Sequence, residues 1–106
     1  MRKTEFLKGS VELAVLGLLS TGDKYGYQIT QALKATQNEI LSISEGTLYP
    51  MLRRLEEAGC MRGRWEKTAG KRRTRFYSLT SRGRTELKER TAYWKSVIKA
   101  INKLIR

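Results

Sequence analysis

Between Val11 and Leu19 apolar side chains fall in almost every helical direction, with Glu12 the one charged interruption. A surface helix would carry a single apolar stripe, so this pattern predicts a helix buried on most sides. Ser10 is its expected N-cap and Thr21-Gly22-Asp23 its stop. From Tyr25 to Thr36 the pattern changes to Ile29, Ala32 and Leu33 at i, i+3 and i+4, which predicts a shorter amphipathic helix. A third helix follows the apolar patch Ile40-Leu41-Ser42-Ile43, with Leu48, Met51, Leu52 and Leu55 as its core stripe. Ser44 is the expected N-cap, Glu45 suits the dipole of the first turn, and Gly59 ends the helix. Pro50 conflicts with this assignment, because a helix-interior proline costs about 3 kcal/mol. The spacing therefore predicts either a kink or a helix that begins later than Ser44.

The other face of the third helix holds Thr47, Tyr49, Arg53, Arg54, Glu56 and Glu57. Hydroxyls near the N-terminal end and arginines one turn later can hydrogen-bond phosphates and base edges in a major groove. Alone, such a face is also what any amphipathic helix turns to water. Next, Cys60 to Lys67 is a short non-helical run containing Trp65, and Thr74 to Leu79 carries Phe76, Tyr77 and Leu79. Joined through Thr68-Ala69-Gly70, the two runs predict a β-hairpin with Lys71, Arg72 and Arg73 at or beside its tip.

Thr80-Ser81 starts the last helix, in which Leu87, Trp94 and Ile101 recur every seven residues, with Val97, Ile98, Leu104 and Ile105 between them. About 25 residues at about 1.5 Å each span about 37 Å. A compact domain of about 100 residues has a radius of gyration of about 13 Å. One subunit is too small to bury that seam, and a partner helix in a two-fold dimer is the expected solution. The competing reading is a basic amphipathic helix on an anionic membrane, with Trp94 at the interface. It lacks a second lipid-facing cluster elsewhere in the chain.

Charge changes the picture most. The 106 residues hold 22 Lys plus Arg against 10 Asp plus Glu, a net charge of +12. Met1 to Gly59 is neutral, with seven basic and seven acidic residues, so the whole surplus follows Cys60. Arg62, Arg64, Lys67, Lys71, Arg72, Arg73 and Arg75, less Glu66, contribute +6, and the last 27 residues another +6. Lys71-Arg72-Arg73-Thr74-Arg75 places four cations within five residues, which repel one another unless they meet a polyanion. The isoelectric point of 10.3 exceeds the value of about 9 that marks a nucleic-acid footprint.

Composition also excludes. Histidine is absent and Cys60 is the one cysteine, which removes His-dependent triads, His-bearing zinc sites and an internal disulfide. Cys60 is expected to fill core space at the start of a strand. Ser, Tyr, Lys and carboxylates occur without pairing into a site, so neither an enzyme nor a cofactor or metal is expected. No apolar run of about 18 residues and no secretory core is present, which predicts a cytoplasmic protein with no membrane partner.

The order of elements describes a mainly α protein with a small β-hairpin. It is a winged helix-turn-helix over residues 1–79 followed by a long C-terminal dimerisation helix over residues 80–106. In that architecture the third helix enters the major groove and the wing reaches DNA alongside it. Helix face and cationic loop then lie on one side of one domain.

The runs Leu7-Lys8-Gly9-Ser10-Val11-Glu12-Leu13, Tyr25-Gly26-Tyr27-Gln28-Ile29 and Ser44-Glu45-Gly46-Thr47-Leu48-Tyr49-Pro50 resemble those of the PadR-type transcriptional regulators. Leu52-Arg53-Arg54-Leu55-Glu56, Arg75-Phe76-Tyr77-Ser78-Leu79-Thr80 and Arg82-Gly83 continue the resemblance to the end of the wing. The segment from Ser44 to Pro50 is its most specific part, and Pro50 is a normal member of that family's recognition-helix motif. The resemblance implies a homodimeric repressor on a pseudo-palindromic operator in double-stranded DNA. It carries DNA contact onto Ser44, Thr47, Tyr49 and Arg53 in the helix and Lys71, Arg72 and Arg73 in the wing. Tyr25-Gly26-Tyr27 stands where the family often has His-Gly-Tyr, and Thr74-Arg75-Phe76-Tyr77 where the wing often ends Arg-Lys-Tyr-Tyr. The single last helix is similar to that of small members, some of which bind flat hydrophobic compounds through aromatic residues at the dimer interface. That implies a small hydrophobic or aromatic effector as a candidate partner, with Trp94 as its candidate contact or as plain packing, in the expected dimer and ligand surface of Leu87, Trp94, Val97, Ile98 and Ile101. The alternative from a different class is a basic protein that packages nucleic acid without sequence preference.

Overall fold

In the computed structural model, α1 (Lys3–Leu19), β1 (Lys24–Tyr25), α2 (Gly26–Ala35), α3 (Glu45–Glu57), β2 (Met61–Lys67), β3 (Arg73–Leu79) and α4 (Ser81–Leu104) follow in order. Residues 3–67, 70 and 72–105 are described, with side chains from residue 8 onward; Lys71, one of the expected wing contacts, lies outside them. The first helix begins earlier than its apolar run, at Lys3, and passes through Gly9-Ser10. Ser10 is therefore no N-cap: a glycine costs a helix about 1 kcal/mol relative to alanine without stopping it. From Ser10 to Leu19 no residue of α1 is exposed, as its all-round apolar pattern requires.

The Pro50 conflict resolves in favour of the early start. Ser44 caps α3, its hydroxyl accepting the Thr47 N–H at 3.3 Å, and the helix runs through Pro50 to Glu57. Proline leaves the Gly46 carbonyl without its usual N–H partner, but Gly46 and Pro50 are both exposed, where water reaches that carbonyl. Leu48, Met51, Leu52 and Leu55 are all buried. They meet Val11, Val15, Leu16 and Leu19 of α1, Ile29 and Leu33 of α2, and Ile43, Cys60, Met61 and Tyr77 in one core. A positive φ of 82° at Gly59 turns the chain from α3 into β2.

The hairpin has the expected two strands and a third that the sequence hid. The sheet order is β1-β3-β2, all antiparallel. Met61 pairs with Leu79, Trp65 with Arg75, and Lys67 with Arg73. β1 adds only Lys24 opposite Tyr77 and Tyr25 opposite Phe76, too short to show an alternation. It fixes the wing to the start of α2, where the Gln28 side chain accepts the Tyr25 N–H at 3.1 Å.

α4 is anchored at its start. The Thr80 hydroxyl donates to the Gly59 carbonyl at 2.6 Å and accepts the Gly83 N–H at 3.0 Å. Leu87 packs on the core, and Arg90 reaches Glu12 of α1 at 2.8 Å while its Nε meets Glu86 at 2.8 Å. Past Arg90, Trp94, Val97, Ile98, Ile101, Leu104 and Ile105 are all exposed. The protein measures 54 × 28 × 21 Å, long in one direction as a helix of 24 residues, about 36 Å, demands. Among the described residues no helix is long and apolar enough to cross a membrane.

Candidate nucleic-acid interface

Ser44, Thr47, Tyr49 and Arg53 are all exposed on α3, but helical geometry spreads them over a wide arc. Thr47 and Tyr49 lie at its two edges, with Gly46, Pro50 and Arg53 between them. Thr47 borders an apolar hollow of about 330 Å³ with Val11, Ile43, Pro50 and Met51, rimmed by Lys8 and Arg54. Arg54 is held 3.8 Å from Glu12, whereas Arg53 makes no ion pair among the described residues.

Tyr49 borders the opposite side. Its ring lies over Gly26, where a Cβ would stand 2.5 Å from the hydroxyl oxygen. Burial raises the Tyr49 phenol above its ordinary pKa, and Glu45 and Tyr77 add to the shift, so it remains a neutral donor. The ring forms one wall of a cleft of about 650 Å³ between the first turns of α2, the first turns of α3 and the wing. Tyr25, Tyr27, Trp65 and Tyr77 supply aromatic lining, and Arg72, Arg73 and the Glu56-paired Arg75 supply cations. Of the expected residues, Tyr49 of α3 and Arg72 and Arg73 of the wing line this one concavity, while Thr47 lines the other hollow and Ser44 and Arg53 line neither.

The wing's cations are not equivalent. Arg64 is engaged by Asp23 at 2.8 Å, by Ser78 at 2.8 Å and by Glu66, and it covers the Phe76 ring at 5.6 Å. Ser78 and then Arg64 hold the Asp23 carboxyl below its ordinary pKa. Arg75 donates to Glu56 Oε2 at 2.9 Å. Arg73 lies 5.2 Å from the Trp65 centroid, with its charge otherwise turned to water. Arg64 and Arg75 are thus paired with carboxylates of the protein itself, Arg64 at the surface and Arg75 partly covered. Trp65, 55% exposed with the Arg73 and Arg75 guanidinium groups 5.2 and 5.4 Å from its centroid, and Glu56, which pairs with Arg75, were not among the expected site residues. The hairpin register, which sets Trp65 opposite Arg75, is the signal that would have found the first.

The expected dimer surface divides as well. Leu87 belongs to the protein's own core, while Trp94, Val97, Ile98 and Ile101 stay exposed along α4. Trp94 and Ile98 join Leu13, Ala14, Ile40 and Leu41 around a second apolar hollow of about 340 Å³.

Residues 15–89 match the transcriptional regulator PadR-like family. An uncharacterised protein of Lysinibacillus sphaericus is 28% identical over 102 residues, covering 96% of this chain and 94% of that protein. The negative transcriptional regulator PadR of Bacillus subtilis is 32% identical over 77 residues, 73% of this chain; the match spans 42% of that regulator. A solved transcriptional regulator from Clostridium thermocellum superposes with a TM-score of 0.85 at 30% identity, over 96% of this chain and 99% of that one. A PadR family transcriptional regulator from Eggerthella lenta gives 0.83 at 29% identity, over 97% and 88%.

Proposed function

The chain belongs to the PadR-like family of transcriptional regulators, and from that premise we propose that it is a sequence-specific repressor that binds a pseudo-palindromic operator as a homodimer. Its relatives are regulators, not enzymes. The observation that carries the reading is the cleft shared by α3 and the wing, where Tyr49 and the cations Arg72 and Arg73 line one concavity. Ser44, Thr47, Tyr49 and Arg53 read base edges and adjoining phosphates from the major groove. Lys71, Arg72 and Arg73 hold phosphates alongside.

Residues 1–79 form the reading domain and residues 80–106 the dimerisation helix. The exposed row Trp94, Val97, Ile98 and Ile101 supports that division, because a protein seldom leaves such a seam in water. A small hydrophobic or aromatic effector would enter beside Trp94, in the hollow with Leu13, Ile40 and Leu41. Such a ligand releases DNA only if it binds two dimer geometries with different affinity. The proposed place of action is the cytoplasm.

The test is the ratio of dissociation constants for an operator duplex and a random duplex at one salt concentration. Specific repression predicts a ratio of about 10³ or more. Equal affinities would instead support nucleic-acid packaging.

A further inference from the structure

Glu56 sits in the last turn of α3 and faces the wing. Its Oε2 accepts the Gly63 backbone N–H at 3.0 Å and Arg75 Nη2 at 2.9 Å, so one carboxylate oxygen joins the recognition helix to both β2 and β3. The Arg75 guanidinium occupies the space above Gly63, where a Cβ would lie 2.6 Å from its Cζ. Any side chain at position 63 would displace the arginine. The same guanidinium lies 5.4 Å from the Trp65 centroid and 5.8 Å from that of Tyr77. Arg75 and Glu56 are each about two-thirds covered, at 29% and 31% exposure.

These contacts have two consequences. They tie the wing to the last turn of α3 through a charge-assisted hydrogen bond, beside the core contacts of Met61 and Tyr77. They also remove one charge from the cationic run, since a guanidinium already paired with a carboxylate releases few counterions when phosphate approaches. Resting on the DNA-binding reading above, we propose that Glu56 is a positioning residue for operator recognition: it withholds Arg75 from phosphate and uses it to hold the wing at the angle operator binding requires. Removing the carboxylate then has an effect opposite to that of removing a phosphate contact. Arg75 becomes available to any duplex, while the wing loses its set angle.

The experiment measures binding of the full chain to a random duplex and to its selected operator over a range of salt, for wild type, Arg75→Gln, Arg75→Lys and Glu56→Gln. Arg75→Gln is expected to keep the wild-type salt slope on random duplex while losing roughly tenfold in operator affinity. Arg75→Lys, which keeps the charge facing Glu56, recovers part of that loss. Glu56→Gln is expected to steepen the slope by about one and to reduce operator preference roughly tenfold. A slope shallower by about one in Arg75→Gln would make Arg75 a phosphate contact and overturn the proposal, as would unchanged preference in Glu56→Gln. If wild type prefers no sequence, the functional reading fails, and the random-duplex slopes still decide the role of Glu56. If wild type binds no duplex, amide exchange decides whether the contact exists: Glu56→Ala, which removes the acceptor, should speed exchange at Gly63 about tenfold while Val15 keeps its rate. Equal exchange at Gly63 overturns it.

Discussion

The hydroxyl end of the Tyr49 ring lies against Gly26, with its hydroxyl oxygen 2.5 Å and its Cζ 2.8 Å from the point a Cβ would occupy. Glycine at that position lets the Tyr49 ring of α3 sit across the N-terminus of α2. Gly26→Ala should push the ring outward at small cost in stability, because Tyr49 is 44% exposed and free to swing. Operator preference should fall while the melting temperature stays near that of wild type. A Gly26→Ala protein that keeps wild-type preference would remove Tyr49 from the reading residues.

Among the wing's cations, Arg64 and Arg75 are paired with carboxylates of the protein itself. Replacing Lys71, Arg72 and Arg73 with alanine should weaken binding to every duplex and flatten the salt dependence, by about 0.9 in slope for each phosphate contact removed. Titrations at several salt concentrations check this. A triple variant with the wild-type slope would exclude the wing from phosphate binding.

Two glycines test how α4 and α1 are built. A Cβ at Gly83 would stand 1.9 Å from the Cys60 carbonyl oxygen and 2.7 Å from Leu79 Cδ1, so α4 must shift away from β2 to admit it. Gly83→Ala should destabilise by about 3 kcal/mol in chemical denaturation, at the upper end of overpacking costs. At Gly9, within α1, a Cβ meets nothing within 4 Å. Gly9→Ala should therefore raise stability by up to about 1 kcal/mol. Loss of stability there would contradict a helix that begins at Lys3.

Truncation after Arg90 removes Trp94, Val97, Ile98 and Ile101 but leaves Leu87 and the Glu12–Arg90 pair in place. The shortened chain should stay folded and sediment as a monomer, and the full chain is expected to sediment as a dimer. A truncated dimer would move the interface off α4.

What the sequence revealed depended on how local the signal was. The α3 stripe repeats within one helix, so Leu48, Met51, Leu52 and Leu55 were legible as core, and Ser44 as cap, from a dozen residues. The Ser44-to-Pro50 motif likewise pointed to the family that the chain matches. Hidden were contacts between distant segments: Arg90 with Glu12 across 78 positions, and Arg75 with Glu56 across 19. A charge count treats Arg75 and Arg73 alike because pairing is a property of the fold. β1 was invisible for another reason, since two residues carry no period. The start of α1 was misread because Gly9-Ser10 looks like a boundary, yet neither residue breaks a helix that its neighbours continue.

The central claim is that α3 and the wing read one half-site each in a two-fold dimer. Selection of bound fragments from random duplex DNA, followed by sequencing, tests it most directly. The account predicts enrichment of an inverted repeat, its half-sites one helical turn or a multiple apart, about 34–36 Å per turn. Recovery of unenriched random sequence would contradict it.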